Sequence, residues 1–479
     1  MNVDWVEFEL TKFSFFRPLS DLGINKVQAW LPVADHDNIR RASSDGTWLF
    51  RTQGLDQDFA VIWSDFRVNG GSFGRDIARR IASFLEACNE EGLPLITVMN
   101  SLGYRFIEGR TVFNDVFNLI PALDNYTRNN LVISVCHGQC LGLSAVLFGL
   151  AHYRIGVRQD STLNLTGPDV FRLFFGSKVD FLSFASVDQQ YLKTTLIHER
   201  TEDLKTALNR ACTLLGTVSS STGLLPMVSE PGVSKYLDFM PRQQQKVERA
   251  CIQLLYPIAD RYLEVFSGFD SRMRVYLIET KGKLFGLLMN PPENSNNMIT
   301  VRTLKLYQDA LRLFEALRIP IVSFLDTPGV DPRVDNSNQD VIQQMIEANR
   351  AIIEYPYPKM GVWIGRGFGG ANTLAIPRIY GSMANYVILE RTTLGVMHES
   401  IIAHLLEKSK RMLKLWQASK EREQADFQDI VDTGVASKAL SIDELPAAIQ
   451  CFLEGDYSHL DDGKAPQQNS QAPDSVACV

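Results

Sequence analysis

Cysteine is scarce in this sequence. Seven occur among 479 residues, at positions 88, 136, 140, 212, 251, 451 and 478. None forms a CxxC pair, so neither a disulfide framework nor a zinc ribbon is readable, and a reducing compartment is the expectation. Long hydrophobic runs are also lacking. No stretch reaches the length of a membrane span, and the start, MNVDWVEFELTKF, has acidic residues where a leader would carry a basic and then an apolar region. A soluble cytoplasmic protein is therefore expected, with no membrane partner. Positive charge is not in excess: 48 Lys and Arg face 55 Asp and Glu, a net charge of −7. That balance gives no electrostatic footprint for a nucleic acid. The GxSxG elbow of serine hydrolases is missing too, since Ser144 lies in Gly142-Leu-Ser-Ala-Val.

What the sequence does contain is a repeat. Gly92-Leu-Pro-Leu-Ile-Thr-Val-Met-Asn-Ser-Leu-Gly-Tyr-Arg105 is an apolar run entered through a proline and closed by a glycine turn. Arg318-Ile-Pro-Ile-Val-Ser-Phe-Leu-Asp-Thr-Pro-Gly-Val-Asp331 echoes it, with Pro94 and Pro320, and Gly103 and Gly329, each 226 positions apart. Helical periodicity precedes each block, over 75–89 and 303–317, and follows it, over 113–129 and 338–354. Each unit then enters a second apolar strand that ends in a glycine cluster, Gly142 in the first and Gly369-Gly370-Ala371 in the second; Gly142 and Gly370 align at an offset near 228.

Strands alternating with helices predict an α/β chain with mostly parallel sheets, and ligands of such sheets gather at the carboxyl ends of the strands. The expected organisation is an N-terminal segment over 1–60, a first lobe over 61–217, a Ser/Gly/Pro-rich linker over 218–249, a second lobe over 250–455 and a disordered tail over 456–479. Residues 407–430 read as a charged, solvent-exposed helix.

Candidate chemistry lies mainly in the backbone. A glycine turn at a strand end lets adjacent N–H groups point at one place, which is how a thioester oxygen is held as it becomes an enolate. A single such turn is common in any α/β protein; two at equivalent places in a repeat are the stronger signal. Arg67-Val-Asn-Gly-Gly-Ser-Phe-Gly-Arg75 opens a helix, so Gly70, Gly71 and Arg75 are either anion contacts or a tight turn beside a basic face. Cys136, His137 and Cys140 sit at a strand end without a second cluster and read as buried small residues, and no metal is expected. His198 is an acid-base candidate or a structural histidine, and His398-Glu399 is a candidate catalytic pair for the second site.

These segments together resemble the carboxyltransferase subunits of propionyl-CoA and related acyl-CoA carboxylases, over roughly residues 60 to 440. Phe66-Arg-Val-Asn-Gly-Gly-Ser-Phe-Gly, Gly103-Tyr-Arg-Phe-Ile-Glu-Gly109 and Leu165-Thr-Gly-Pro-Asp169 carry the likeness in the first lobe. Gly282-Lys-Leu-Phe-Gly-Leu-Leu-Met-Asn-Pro-Pro292, the block at 320–329 and Gly369-Gly-Ala371 carry it in the second. The resemblance implies two tandem crotonase-like (ClpP/crotonase) lobes of β-β-α superhelix type. It also implies a backbone oxyanion hole at Leu102 and Gly103, a second at Gly370 and Ala371, and substrate contacts at Gly70, Gly71, Arg75, Gly142, Gly167, Gly329 and Gly369. In the implied chemistry, carboxybiotin on a separate carrier protein releases carbon dioxide, its ureido anion takes the α-proton of an acyl-CoA or carrier-bound thioester, and the enolate attacks the carbon dioxide. Sites shared between facing subunits imply a homodimer or hexamer.

The chain departs from the family pattern at Leu102, at Leu143 and at His398-Glu399. It also contains no Ala-Met-Lys-Met biotinylation segment and no ATP-binding region, so a separate biotin carboxylase and carrier would have to work with it. Two other readings stand beside carboxyl transfer: a biotin-independent decarboxylase or other enolate-forming enzyme acting on a malonyl-type thioester, and a non-catalytic partner that keeps the fold.

Overall fold

A computed structural model describes residues 3–32, 45–53, 57–158, 160–176, 180–216, 241–333, 340–397, 399–406 and 427–456, with five positions between 411 and 417. The tail over 457–479, most of 407–426 and the linker stretch 217–240 lie outside the described residues.

The first lobe is a sheet of nine strands: β1 (Val3–Glu9), β2 (Lys26–Pro32), β3 (Thr47–Thr52), β4 (Ala60–Ser64), β5 (Leu95–Ser101), β6 (Val132–Leu141), β7 (Tyr153–Val157), β8 (Thr162–Asn164) and β9 (Glu199–Thr201). β1 to β4 pair antiparallel, and from β4 onward the strands run parallel, joined by helices α1 (Arg75–Glu90), α2 (Leu119–Asn129) and α3 (Leu143–Leu150). The apolar run of β5 is buried on both faces, as a central parallel strand requires. α1 turns Ile77, Ile81, Phe84, Leu85 and Cys88 inward at helical spacing and Arg79 outward, while Arg80 is buried with its guanidinium on the Trp30 carbonyl.

The second lobe repeats the plan with β10 (Arg261–Val265), β11 (Arg274–Thr280), β12 (Lys283–Met289), β13 (Ile321–Thr327), β14 (Lys359–Phe368), β15 (Ala384–Ile388), β16 (Thr393–Gly395) and β17 (Lys438–Leu440). Its helices include α4 (Arg242–Leu255), α5 (Val301–Ala316), α6 (Val341–Glu354), α7 (Gln428–Asp432) and α8 (Leu445–Glu454). From β2 and β10 onward the orders agree strand by strand, down to a short side strand on the long one: β8 on β6, β16 on β14. The agreement extends to single hydrogen bonds. The β5–β6 register slips between Met99 and Ser101, and the β13–β14 register slips between Leu325 and Thr327, the residues 226 positions on. The expected duplication is thus present in three dimensions.

Two boundaries differ from the sequence expectation. Residues 1–60 are not a separate segment, because β1, β2 and β3 complete the first sheet on its antiparallel side. Residues 242–249 belong to the second lobe and not to the linker: α4 begins there, and Glu248 pairs with Arg274 of β11. One hydrophobic core runs from the first sheet through α1, α2 and α5 to the near face of the second sheet. A second core lies on the far face, under α4 and α8. Buried polar groups also tie the lobes, with Arg154 of β7 and His198 on Asp309 of α5, and Arg302 on the carbonyls of Tyr191 and Thr194.

Candidate active site

The turns after β5 and β13 are built alike. The Gly103 N–H donates to Ser101 Oγ at 3.0 Å, and the Gly329 N–H donates to Thr327 Oγ1 at 3.2 Å. Phe73 N–H donates to Gly103 O and Arg105 N–H to Phe73 O, while Ile299 and Asp331 repeat both bonds around Gly329. Positive φ at Gly103 (82°) and Gly329 (119°) lets the chain reverse there. Leu102 N–H donates to Gly70 O at 3.0 Å. Both N–H groups of the expected first hole, Leu102 and Gly103, are therefore engaged inside the fold. Gly71 is a glycine because a Cβ would lie 2.3 Å from Asn100 O, and the exposed Leu102 side chain covers Gly70.

The open N–H groups lie one strand further on. β6 is followed by Gly142 (φ 58°) and β14 by Gly369 (φ 61°). The matched registers, Ser101 on Cys140 and Thr327 on Gly367, make Gly142 the counterpart of Gly369 and Leu143 the counterpart of Gly370. The alignment of Gly142 with Gly370 expected from the sequence is therefore one residue out of step. Position 143 is leucine and not glycine, so the first lobe carries a side chain where the second has none. The Gly142 N–H is spent on Asn164 O, whereas the Leu143 N–H belongs to the first turn of α3, where no intrahelical partner exists. Gly369 and Gly370 likewise open a 3-10 helix (Gly369–Ala375), whose first two N–H groups have no partner within it. Gly370 is exposed and a Cβ there would meet nothing within 4 Å, but Ala371 is 0% exposed. Gly369 is half-buried, and the N–H groups without a partner inside this helix are those of Gly369 and Gly370. Gly103 and Gly329 support these turns from beneath: a Cβ on Gly103 would lie 2.8 Å from the Leu143 nitrogen, and one on Gly329 3.6 Å from Phe368 O. Gly167 sits beside the first turn, 3.6 Å by the same measure from Leu141.

The Gly369-Gly370 turn opens into a cavity of about 610 Å³, walled by Trp363, Leu394, Phe427, Ile430 and Val435. That volume lies within the usual range for small-molecule sites. Asp429, at the start of α7, lines the same cavity. The sequence reading missed it, because it stands 59 positions after Gly370 in a charged stretch with no motif around it.

Other expected residues are placed elsewhere. The Arg75 N–H at the head of α1 already donates to Glu108 at 2.9 Å, and the Arg75 and Arg79 side chains pair with Asp115, so this helix start holds a carboxylate of the chain itself. Gly74 is glycine because the Glu108 carboxylate passes where its Cβ would be. His198 is fully buried between the lobes, and burial lowers its pKa to about 4. Its Nδ1 accepts the Arg154 N–H, leaving the ring proton on Nε2 toward Asp309, a structural role. His137 is half-buried and its pKa is likewise lowered by burial. Cys136 and Cys140 are buried as expected. His398 lies outside the described residues, and Glu399 begins the helix Glu399–Leu406.

Two copies of one sheet-and-crossover unit, each with a glycine turn that opens N–H groups at a strand end, define a tandem α/β protein of the crotonase type. The chain belongs to the carboxyl transferase domain family, whose description matches residues 56–444. It is 25% identical over 338 residues to the carboxyltransferase subunit of propionyl-CoA carboxylase from Haloferax mediterranei, covering 68% of this chain and 64% of that protein. It is 23% identical over 394 residues to the beta6 subunit of the biotin-dependent acetyl-/propionyl-coenzyme A carboxylase from Mycobacterium bovis, covering 79% and 82%. Among solved structures, the transcarboxylase 12S hexamer core with methylmalonyl-coenzyme A bound superposes with a TM-score of 0.70 at 19% identity, over 89% of this chain and 85% of that one. That likeness establishes the fold with its two tandem lobes.

Proposed function

We propose that this chain is the carboxyltransferase component of a biotin-dependent acyl-CoA carboxylase, moving a carboxyl group from carboxybiotin to the α carbon of an acyl thioester. The observation that carries this reading is the pair of open turns, Leu143 after β6 and Gly369-Gly370 after β14, at equivalent places in the two lobes. The first offers the Leu143 N–H and the second the N–H groups of Gly369 and Gly370, each to one carbonyl oxygen, and donors fixed in place before reaction stabilise the negative charge that develops there. Carboxybiotin, held on a separate carrier, would supply the carboxyl group. The chain's own part is to bind both carbonyls, orient them and exclude water. The apolar walls of the Gly370 cavity suit the bicyclic ring of biotin, and the first-lobe turn would then take the acyl thioester.

Facing subunits fit this reading. Leu173 and Phe174, in the helix that follows Gly167, and Val396, beside the second turn, are 85%, 79% and 77% exposed, so both sites are rimmed by apolar surface that a second copy would cover. A homodimer or hexamer, with a separate biotin carboxylase and carrier, is the proposed assembly. A cytoplasmic location accords with it; among the described residues no helix is long and apolar enough to cross a membrane. The test is incubation of the purified chain with carboxylated carrier and a panel of acyl-CoA thioesters. Carboxyl transfer to at least one member is expected, and transfer to none sinks the proposal. Leu143 in place of a glycine favours one competing reading, decarboxylation of a malonyl-type thioester without biotin, and carbon dioxide release from malonyl-CoA by the chain alone would establish it.

A further inference from the structure

The Gly370 cavity has few polar groups left to offer. Asn372 is committed, since its Oδ1 accepts the Trp363 Nε1–H at 3.0 Å and its Nδ2 donates to Gly367 O at 3.1 Å. The 3-10 helix leaves the N–H groups of Gly369 and Gly370 as donors. Opposite in character is Asp429, whose backbone carbonyl accepts the Thr433 hydroxyl but whose carboxylate has no hydrogen bond or ion pair among the described residues. A largely apolar cavity thus carries a donor pair and, beside the Val396 carbonyl, one unpaired side-chain acceptor.

A ligand that satisfies both needs a carbonyl oxygen and an N–H on one compact apolar body. A thioester carbonyl supplies only the first and would leave the carboxylate facing a partner with nothing to donate. A cyclic urea supplies both, and in carboxybiotin the ring nitrogen without the carboxyl group keeps its N–H. We propose that Asp429 is the specificity-determining residue of the second lobe, accepting a hydrogen bond from the ureido N–H of the biotin ring while the ureido oxygen meets the Gly369-Gly370 N–H groups. This rests on the carboxyltransferase reading and assigns the second lobe to biotin.

The test is equilibrium binding to the full chain, followed by ligand-observed NMR, with free biotin, 2-imidazolidinone and 1,3-dimethyl-2-imidazolidinone, which lacks an N–H. The wild-type chain should prefer the two N–H ligands. Asp429→Leu should weaken biotin by about ten- to a hundredfold, the range for a hydrogen bond to a charged group, and erase the preference. Asp429→Asn keeps an acceptor oxygen and should retain most of the binding, which separates loss of the hydrogen bond from loss of folding. Unchanged biotin affinity in Asp429→Leu, or no preference in the wild type, overturns this assignment and leaves the carboxyltransferase reading standing. Absence of biotin binding by the wild type, together with absence of carboxyl transfer, removes both.

Discussion

Replacing Asp309 by asparagine tests how the lobes are held together. Asp309 Oδ2 lies 2.8 Å from an Arg154 nitrogen and 2.9 Å from His198 Nε2, with the Arg154 side chain only 5% exposed. Asparagine keeps the volume and one acceptor oxygen but removes the charge. Breaking a buried ion pair from one side costs about 3–5 kcal/mol, because the remaining ion is left uncompensated. Arg154 keeps hydrogen bonds to the carbonyls of Leu196 at 2.6 Å and Ala151 at 2.9 Å, so the lower end, about 3 kcal/mol, is expected. Urea denaturation followed by tryptophan fluorescence and circular dichroism measures the loss. Arg154 belongs to the first lobe and Asp309 to the second, so the variant should also split one transition into two. Replacing both charges, as Arg154→Met with Asp309→Leu, should recover stability to within about 1 kcal/mol of the wild type. A loss below about 1 kcal/mol for Asp309→Asn, or a double variant no better than the single one, would refute the argument.

Three further outcomes follow from the same geometry. Gly361→Ala should destabilise by about 3 kcal/mol or more and detach the helix that carries Gly370, because the new Cβ would fall 1.6 Å from Ala375 O; an unchanged melting temperature would contradict this. Gly370→Ala meets open space and should melt like the wild type, so any loss of biotin binding or carboxyl transfer would report on the turn itself. Burial lowers the pKa of His198 to about 4 and that of His152 to about 3, below the ordinary 6.5. The unfolded chain therefore binds more protons than the folded chain between those values. Stability should fall as pH drops below 6.5, at up to about 1.4 kcal/mol per pH unit for each histidine, and denaturation curves that coincide at pH 7 and pH 5 would rule this out.

The duplication was legible because its markers, a proline, a glycine turn and two apolar runs, recur at nearly fixed spacing. The identity of the open N–H groups was not. Ser101 and Thr327 each stand two residues before their glycine, a spacing at which a hydroxyl can take the turn's own N–H, and that was the available signal. Glu108 could not be read as the cap of α1, since the contact spans 33 positions. The first three strands were missed for a different reason: an antiparallel sheet edge shows alternation that is easily broken, as in Val3–Glu9, where the partner strand decides the pairing.

The lobes differ where they meet a ligand and agree beneath it. Asn100 Oδ1 accepts the Gln139 N–H in the first lobe, and Asp326 Oδ1 accepts the Arg366 N–H at the matching place in the second, both at 2.9 Å. The same backbone bond is kept by a neutral pair and by a charged one, so the bond, and the bulge it fixes, is what the fold requires. At the mouth the constraint is reversed. Leu143 and Gly370 occupy the same place in their turns, but one brings a side chain and the other leaves open space beside Asp429. In the proposed function, such a scaffold, which fixes the donors while leaving their surroundings free, would hold two unlike carbonyls, one in each lobe. That division of labour is what carboxyl transfer between two different molecules demands.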